Sequence, residues 1–171
     1  MMKLTKMISL VAVAVTLGVS GAELTTPATA QAKTKYTMKT FPKAMRSGNW
    51  YAGYKPGAWV RKFDTKTYWE GFVASNGGWG LSPLFLKAHK LPFAGSKSNK
   101  NHQDLVYATK VNGRVKVDSW YSKGPKAVYY KVGTKTYNGK KVKVLWQYKS
   151  AKGKATAQYF KTKALTKQFN Y

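Results

Sequence analysis

The sequence predicts an all-β fold: a small antiparallel β-barrel or sandwich of about seven to nine strands with one short helix. Composition is the first reason. The chain has 7 Phe, 6 Trp and 12 Tyr, all of them beyond residue 33, and aromatic and β-branched side chains favour strands. Few aliphatic residues accompany these rings, so the rings must supply much of the core. The second reason is a pair of Asn-Gly dipeptides, Asn112-Gly113 and Asn138-Gly139. Each suits a two-residue hairpin turn, in which both central positions need positive φ. The third is the frequent Gly, Pro and Asn punctuation, which leaves room for strands rather than long helices.

Three strands are expected at 48–55, 58–63 and 67–74, with turns at Lys55-Pro56-Gly57 and Asp64-Thr65-Lys66. Trp50 should be buried in the first, with Ala52 and Tyr54 on its face. The helix is expected to start at Ser82 as cap and Pro83 as first residue, with Leu84, Phe85, Ala88 and Leu91 as its apolar face. Residues 94–103 form a polar loop. Two hairpins follow, 105–111 with 114–120 and 128–137 with 141–148. In the last of these, Val142, Val144, Trp146 and Tyr148 alternate with Lys141, Lys143, Leu145 and Gln147. That pattern predicts the first set buried and the second mostly solvated. Residues 155–161 read as a late strand.

Ahead of this domain lies an export signal. Lys3 and Lys6 form a positive start, Met7 to Val19 is uncharged and apolar, and Ala30-Gln31-Ala32 gives a small-x-small cleavage pattern. The organisation expected is therefore a signal peptide at 1–32, a loose tail at 33–40, and one β-rich domain at 41–171. The apolar run is shorter than the roughly 20 residues of a membrane span, and no transmembrane segment is expected after cleavage. The absence of Cys excludes disulfides and thiol chemistry. Leu91-Pro92-Phe93-Ala94-Gly95 has Ala94 where a sortase motif needs Thr, and reads as a loop.

Charge is the strongest functional signal. The formal net charge is +26. Two of the 31 Lys and Arg residues, Lys3 and Lys6, precede residue 33, which leaves 29 against Asp64, Glu70, Asp104 and Asp118. After Asp118 there are 13 lysines and no carboxylate. An anionic partner is the economical explanation of such an imbalance. Lys outnumbers Arg by 26 to three beyond residue 32. Lysine is a point charge without fork geometry, which favours register-free attraction over the reading of a nucleic-acid sequence.

Phe41-Pro42-Lys43-Ala44-Met45-Arg46-Ser47-Gly48-Asn49-Trp50-Tyr51 resembles the opening of small basic secreted proteins of lactic acid bacteria, as does the ending Tyr159-Phe160-Lys161-Thr162-Lys163-Ala164-Leu165. Ser47 is an insertion relative to that pattern. The resemblance implies secretion and a β-rich fold. Gly48-Asn49-Trp50-Tyr51 is also similar to the Gly-x-Trp that opens lipocalin-like barrels, in which a late Arg packs on the Trp. The arginines here are Arg46, Arg61 and Arg114, none of them late. Residues 135–165 resemble SH3-like wall-attachment modules through Tyr137-Asn138-Gly139-Lys140-Lys141-Val142-Lys143-Val144 and Lys163-Ala164-Leu165.

Groups for catalysis are scarce. His102 and Asp104, two apart, are the one candidate pair for a hydrolase, and a polar loop feeding a strand is the better reading. No metal or cofactor motif occurs, and a non-enzymatic protein is expected. The expected partners are anionic cell-wall polymers or anionic lipid headgroups, reached from the extracellular side or the wall. Lys140, Lys141, Lys143, Lys149, Lys152 and Lys154 flank turns and are the expected polyanion contacts. Trp79, Trp120 and Tyr121 are candidates for aromatic contact, although core or barrel-mouth packing is the better reading of any single ring; Trp120 shares parity with Lys116 and Asp118, which suggests the wet face. Two other functions compete: a lipocalin-like barrel holding a small apolar ligand, and a secreted antimicrobial or nucleic-acid-binding protein.

Overall fold

The computed structural model describes residues 35–169, apart from Ser47, Asn99 and the side chain of Trp79. The expected signal peptide therefore lies outside the described residues, as does the Ser47 insertion. The strands are β1 (Asn49–Tyr51), β2 (Trp59–Phe63), β3 (Thr67–Val73), β4 (Trp79–Leu86), β5 (Leu105–Val111), β6 (Arg114–Ser119), β7 (Val128–Tyr137), β8 (Lys140–Tyr148) and β9 (Ala157–Phe160), followed by the helix α1 (Lys163–Phe169). They form a closed barrel in sequence order. All neighbours are antiparallel except β4 and β5, which run parallel after the connection formed by residues 87–104.

The expected all-β fold is the observed one. Both Asn-Gly turns form, with φ of 50° at Asn112, 72° at Gly113, 45° at Asn138 and 73° at Gly139. The helix is in a different place. Residues 79–86 pair with β3 from Val73↔Trp79 to Thr67↔Phe85, so the expected helix at Ser82 is a strand. Pro83 fits there for a specific reason. The Phe85 amide donates to Asp104 O on the β5 side, and Pro83 has the same parity. Its missing N–H thus faces the edge before β5 begins, where no ladder bond is lost. The true helix is capped by Thr162, whose Oγ1 accepts the Leu165 amide at 3.2 Å, and Thr166 is buried beneath it.

The barrel interior holds Phe41, Met45, Trp50, Phe63, Tyr68, Leu86, Val106, Ala108, Val115, Val117, Tyr130, Leu145 and Tyr159. Leu145 corrects the face expected for β8: it points inward, with the parity of Lys141 and Lys143. Val144 is buried too, on the outer face, where its register partner Phe160 stacks on Phe169 of α1 at 4.7 Å. A strand covered on both sides does not alternate cleanly. The two lysines stay exposed because the β7–β8 hairpin outruns its neighbours. β9 pairs no further than Val144, and β6 no further than Tyr130.

The end of the barrel at Trp50 is plugged by the preceding segment. Phe41 and Met45 are buried, the Trp50 indole Nε1 donates to Met45 O at 2.8 Å, and Arg46 Nε donates to Phe41 O at 2.6 Å. The tail expected to be loose is held from Tyr36 onward. Tyr36 bridges Lys90, the Thr37 amide donates to His89 O at 2.8 Å, and the Met38 amide donates to Ala108 O at 2.7 Å. These bonds occupy edge groups that would otherwise be unpaired.

Candidate functional site

Two features stand out: the surface lysines and a polar network inside the barrel. All six lysines expected as polyanion contacts are exposed, and none makes an ion pair with a described residue. They form two groups, at opposite ends of β8. Lys140, Lys141 and Lys143 sit at the projecting hairpin, and Lys149, Lys152 and Lys154 lie in the β8–β9 loop. β8 has nine residues, so about 30 Å separates the groups at about 3.3 Å per residue.

The four carboxylates beyond residue 32 are dispersed by contrast. Glu70 Oε2 lies 3.7 Å from Arg61 Nη2, and Asp118 Oδ2 is 2.6 Å from Lys116 Nζ. Asp64 Oδ1 accepts the Thr65 amide at 2.7 Å, and Asp104 is exposed.

The internal network grows from the β2–β3 hairpin, whose register sets Arg61 opposite Glu70 and Phe63 opposite Tyr68, all facing inward. Arg61 is 5% exposed. Its Nε donates to the Tyr130 hydroxyl at 3.2 Å, and its Nη1 donates to Val60 O at 3.2 Å. The Tyr68 and Tyr130 hydroxyls are 2.7 Å apart, and Tyr68 donates to Glu70 Oε2 at 2.9 Å. Guanidinium only donates and carboxylate only accepts, so the chain has one direction: Arg61 to Tyr130, Tyr130 to Tyr68, Tyr68 to Glu70. Tyr159 lies beside it, with the Arg61 guanidinium 5.7 Å from its ring and its hydroxyl donating to Gln147 Oε1 at 2.7 Å.

Burial, above all, raises the pKa values of Tyr68, Tyr130 and Tyr159. Burial works to lower that of Arg61, but Tyr130, Tyr68, Tyr159 and Glu70 together raise it. A tyrosine that holds its proton longer when folded stabilises the fold fully below its unfolded pKa. That contribution disappears as pH climbs, because the unfolded chain releases protons first. The melting temperature is therefore expected to fall from about pH 10, the ordinary tyrosine value, upward. Scans between about pH 8 and pH 11 check this. The fall should be smaller in Tyr130→Phe, and an equal fall in both proteins would remove the network as its cause.

Above the network the same inward faces reach the open end of the barrel. Trp59 and Phe72 are register partners there, 53% and 51% exposed. The Arg61 guanidinium lies 4.8 Å from the Trp59 ring centroid. A cavity of about 140 Å³ opens beside Glu70 and Tyr68, walled by Leu84, Val106, Val117 and Val128. None of Trp59, Arg61, Tyr68, Glu70, Phe72 or Tyr130 was expected at a site. The signal was the hairpin register: counting back from Asp64-Thr65-Lys66 sets Arg61 opposite Glu70.

The aromatic candidates separate. Trp120 is 5% exposed, packed rather than on a wet face, because His89, Phe93 and His102 lie against it. Phe93 packs 4.6 Å from it and stacks on His89 at 4.2 Å. Tyr121 is half-buried and bridges Ser96. Trp79 opens β4, and its side chain is outside those described. His102 lies 6.3 Å from Trp120, its Nδ1 has no partner among the described residues, and no hydrogen bond joins it to Asp104.

One late cation does pack on Trp50. Lys161, just past β9, places Nζ 3.3 Å from the ring centroid. Burial, and then repulsion from Lys143, lowers its pKa to about 8. The chain matches no protein-family model, no curated protein and no solved structure.

Proposed function

We propose that this is an exported, non-enzymatic protein retained on anionic cell-envelope polymers by its surface lysines. One observation carries the reading: Glu70, Asp118 and Asp64 are engaged within the molecule, while the six lysines at the ends of β8 have no carboxylate partner among the described residues. Compensation for that charge has to come from outside. Lysine's unforked ammonium suits the repeating phosphates of a flexible polymer.

The two groups are about 30 Å apart along β8, so each adds its own share of attraction. At about 1 kcal/mol per lysine near an anionic surface, each triplet contributes roughly 100-fold to retention. The test uses the protein as purified from its own cells, bound to isolated walls and washed with rising salt. Retention should fall steeply with salt and on stripping phosphate polymers from the wall. Replacing Lys140, Lys141 and Lys143 with Gln should lower it with the melting temperature unchanged. Retention that survives both high salt and Gln at all six positions overturns the proposal.

A second reading, a lipocalin-like barrel with a small ligand, is favoured by Lys161. This lysine takes up the position over Trp50 that a late Arg occupies in such barrels. Size limits a ligand at the cavity beside Glu70 and Tyr68: drug-sized molecules need about 300 Å³ or more, against about 140 Å³ there.

A further inference from the structure

We propose that the open end of the barrel binds a neutral sugar ring, stacked at Trp59 and Phe72 and hydrogen-bonded by Arg61 and Glu70. The site is separate from the lysine groups and does not depend on electrostatic retention.

Start with the hydrogen-bonding capacity left over. A guanidinium has five N–H groups and a carboxylate two oxygens. Arg61 uses Nε and Nη1 on Tyr130 and Val60. Its Nη2 stands 3.7 Å from Glu70 Oε2, beyond hydrogen-bond distance, and donates to no described residue. Glu70 Oε2 is taken by Tyr68, whereas Oε1 accepts from no described residue, and the side chain is 42% exposed. A donor from a side chain that is almost fully buried and an acceptor thus remain free together, below two exposed rings.

Ligand classes can now be separated. A carboxylate would satisfy Nη2 but face Glu70 and leave Oε1 without a donor, and an ammonium would satisfy Oε1 but face Arg61 and leave Nη2 without an acceptor. An alkyl chain would cover Nη2 and Oε1 without satisfying either, and burying an unpaired charged group is costly. A hydroxyl both donates and accepts. Two adjacent hydroxyls therefore answer Nη2 and Oε1 at once and keep the ion pair neutral. The C–H face of the same ring can lie on an aromatic platform. Trp59 has one face on the guanidinium and is still 53% exposed; Phe72 extends the surface from the adjacent strand. The one-way chain from Arg61 through Tyr130 and Tyr68 fixes both polar groups in advance, so little ordering is left for binding.

The experiment is saturation-transfer NMR on the purified protein, with glucose, galactose and N-acetylglucosamine as probes and hexylamine and hexanoate as controls. The Trp59 indole resonance is followed alongside. At least one sugar should receive saturation and shift that resonance, and both controls should fail. Trp59→Ala should abolish the effect, and Glu70→Gln should weaken binding tenfold or more. Trp59 is exposed, so its variant should keep the wild-type melting temperature. Sugar binding should persist at about 1 M salt, where the Debye length is about 3 Å, while wall retention disappears; that contrast tells the two proposals apart. Silence from all three sugars, or equal binding of either control, overturns the assignment.

Discussion

Trp50→Ala is expected to cost about 3–5 kcal/mol, the range for truncating a large buried aromatic. Trp50 is fully buried, and three attachments converge on it. Its indole N–H holds Met45 O, its ring underlies Lys161, and its backbone pairs with Arg61. Truncation opens a cavity at the plugged end and leaves the Met45 carbonyl without its donor. The desolvated Lys161 also loses the aromatic face it lies on. For a domain of this size such a loss corresponds to a fall of about 10 °C or more in melting temperature. Trp50→Phe separates the contributions: it keeps most of the packing, loses the N–H bond, and should cost less. Wild-type melting for the Ala variant would show that the plug does not depend on this side chain.

Gly71→Ala should be comparably severe, for a different reason. Gly71 has no positive φ to protect; what matters is approach. A Cβ there would fall on the carbonyl oxygen of Gly80 in β4. That oxygen belongs to the backbone and has no rotamer to move into, so the strands must part. Overpacking a tight site costs about 1–3 kcal/mol, occasionally more, and an immovable neighbour places this one at about 3 kcal/mol. Gly80→Ala, in the same pairing at the register partner of Phe72, meets nothing within 4 Å and should melt close to wild type. Denaturation of the pair side by side tests the steric account, and equal destabilisation would refute it.

Strand signals were legible where they are local. Asn-Gly turns impose positive φ whatever surrounds them, so the β5–β6 and β7–β8 hairpins could be read directly. The segment Ser82-Pro83 could not. Its cap-and-proline pattern is a valid helix start, and only the unpaired edge beside β4 makes the same proline acceptable in a strand. Val144 and Leu145 misled in a related way, because a strand covered by α1 outside and by the barrel inside loses its alternation. Glu70 and Arg61 were legible in principle from the hairpin register. Their meeting with Tyr130, 69 positions from Arg61, depends on barrel closure, which no local pattern encodes.

The seam of the barrel has a consequence for how the chain comes together in time. β1 and β9 meet through a single register pair, Tyr51 with Phe160, and α1 lies over that join with Phe169 on Phe160. A chain that emerges from its N-terminus can assemble β1 to β8 as one open sheet before residue 160 arrives. Closing a loop of that length is entropically the late event. Until then β1 and β8 are open strand edges, the form of a sheet most prone to pair with another molecule. The lysines of β8 stand on one of those edges. Their mutual repulsion between chains works during this interval, before any polymer has been met, and keeps each unfinished sheet available for its own last strand.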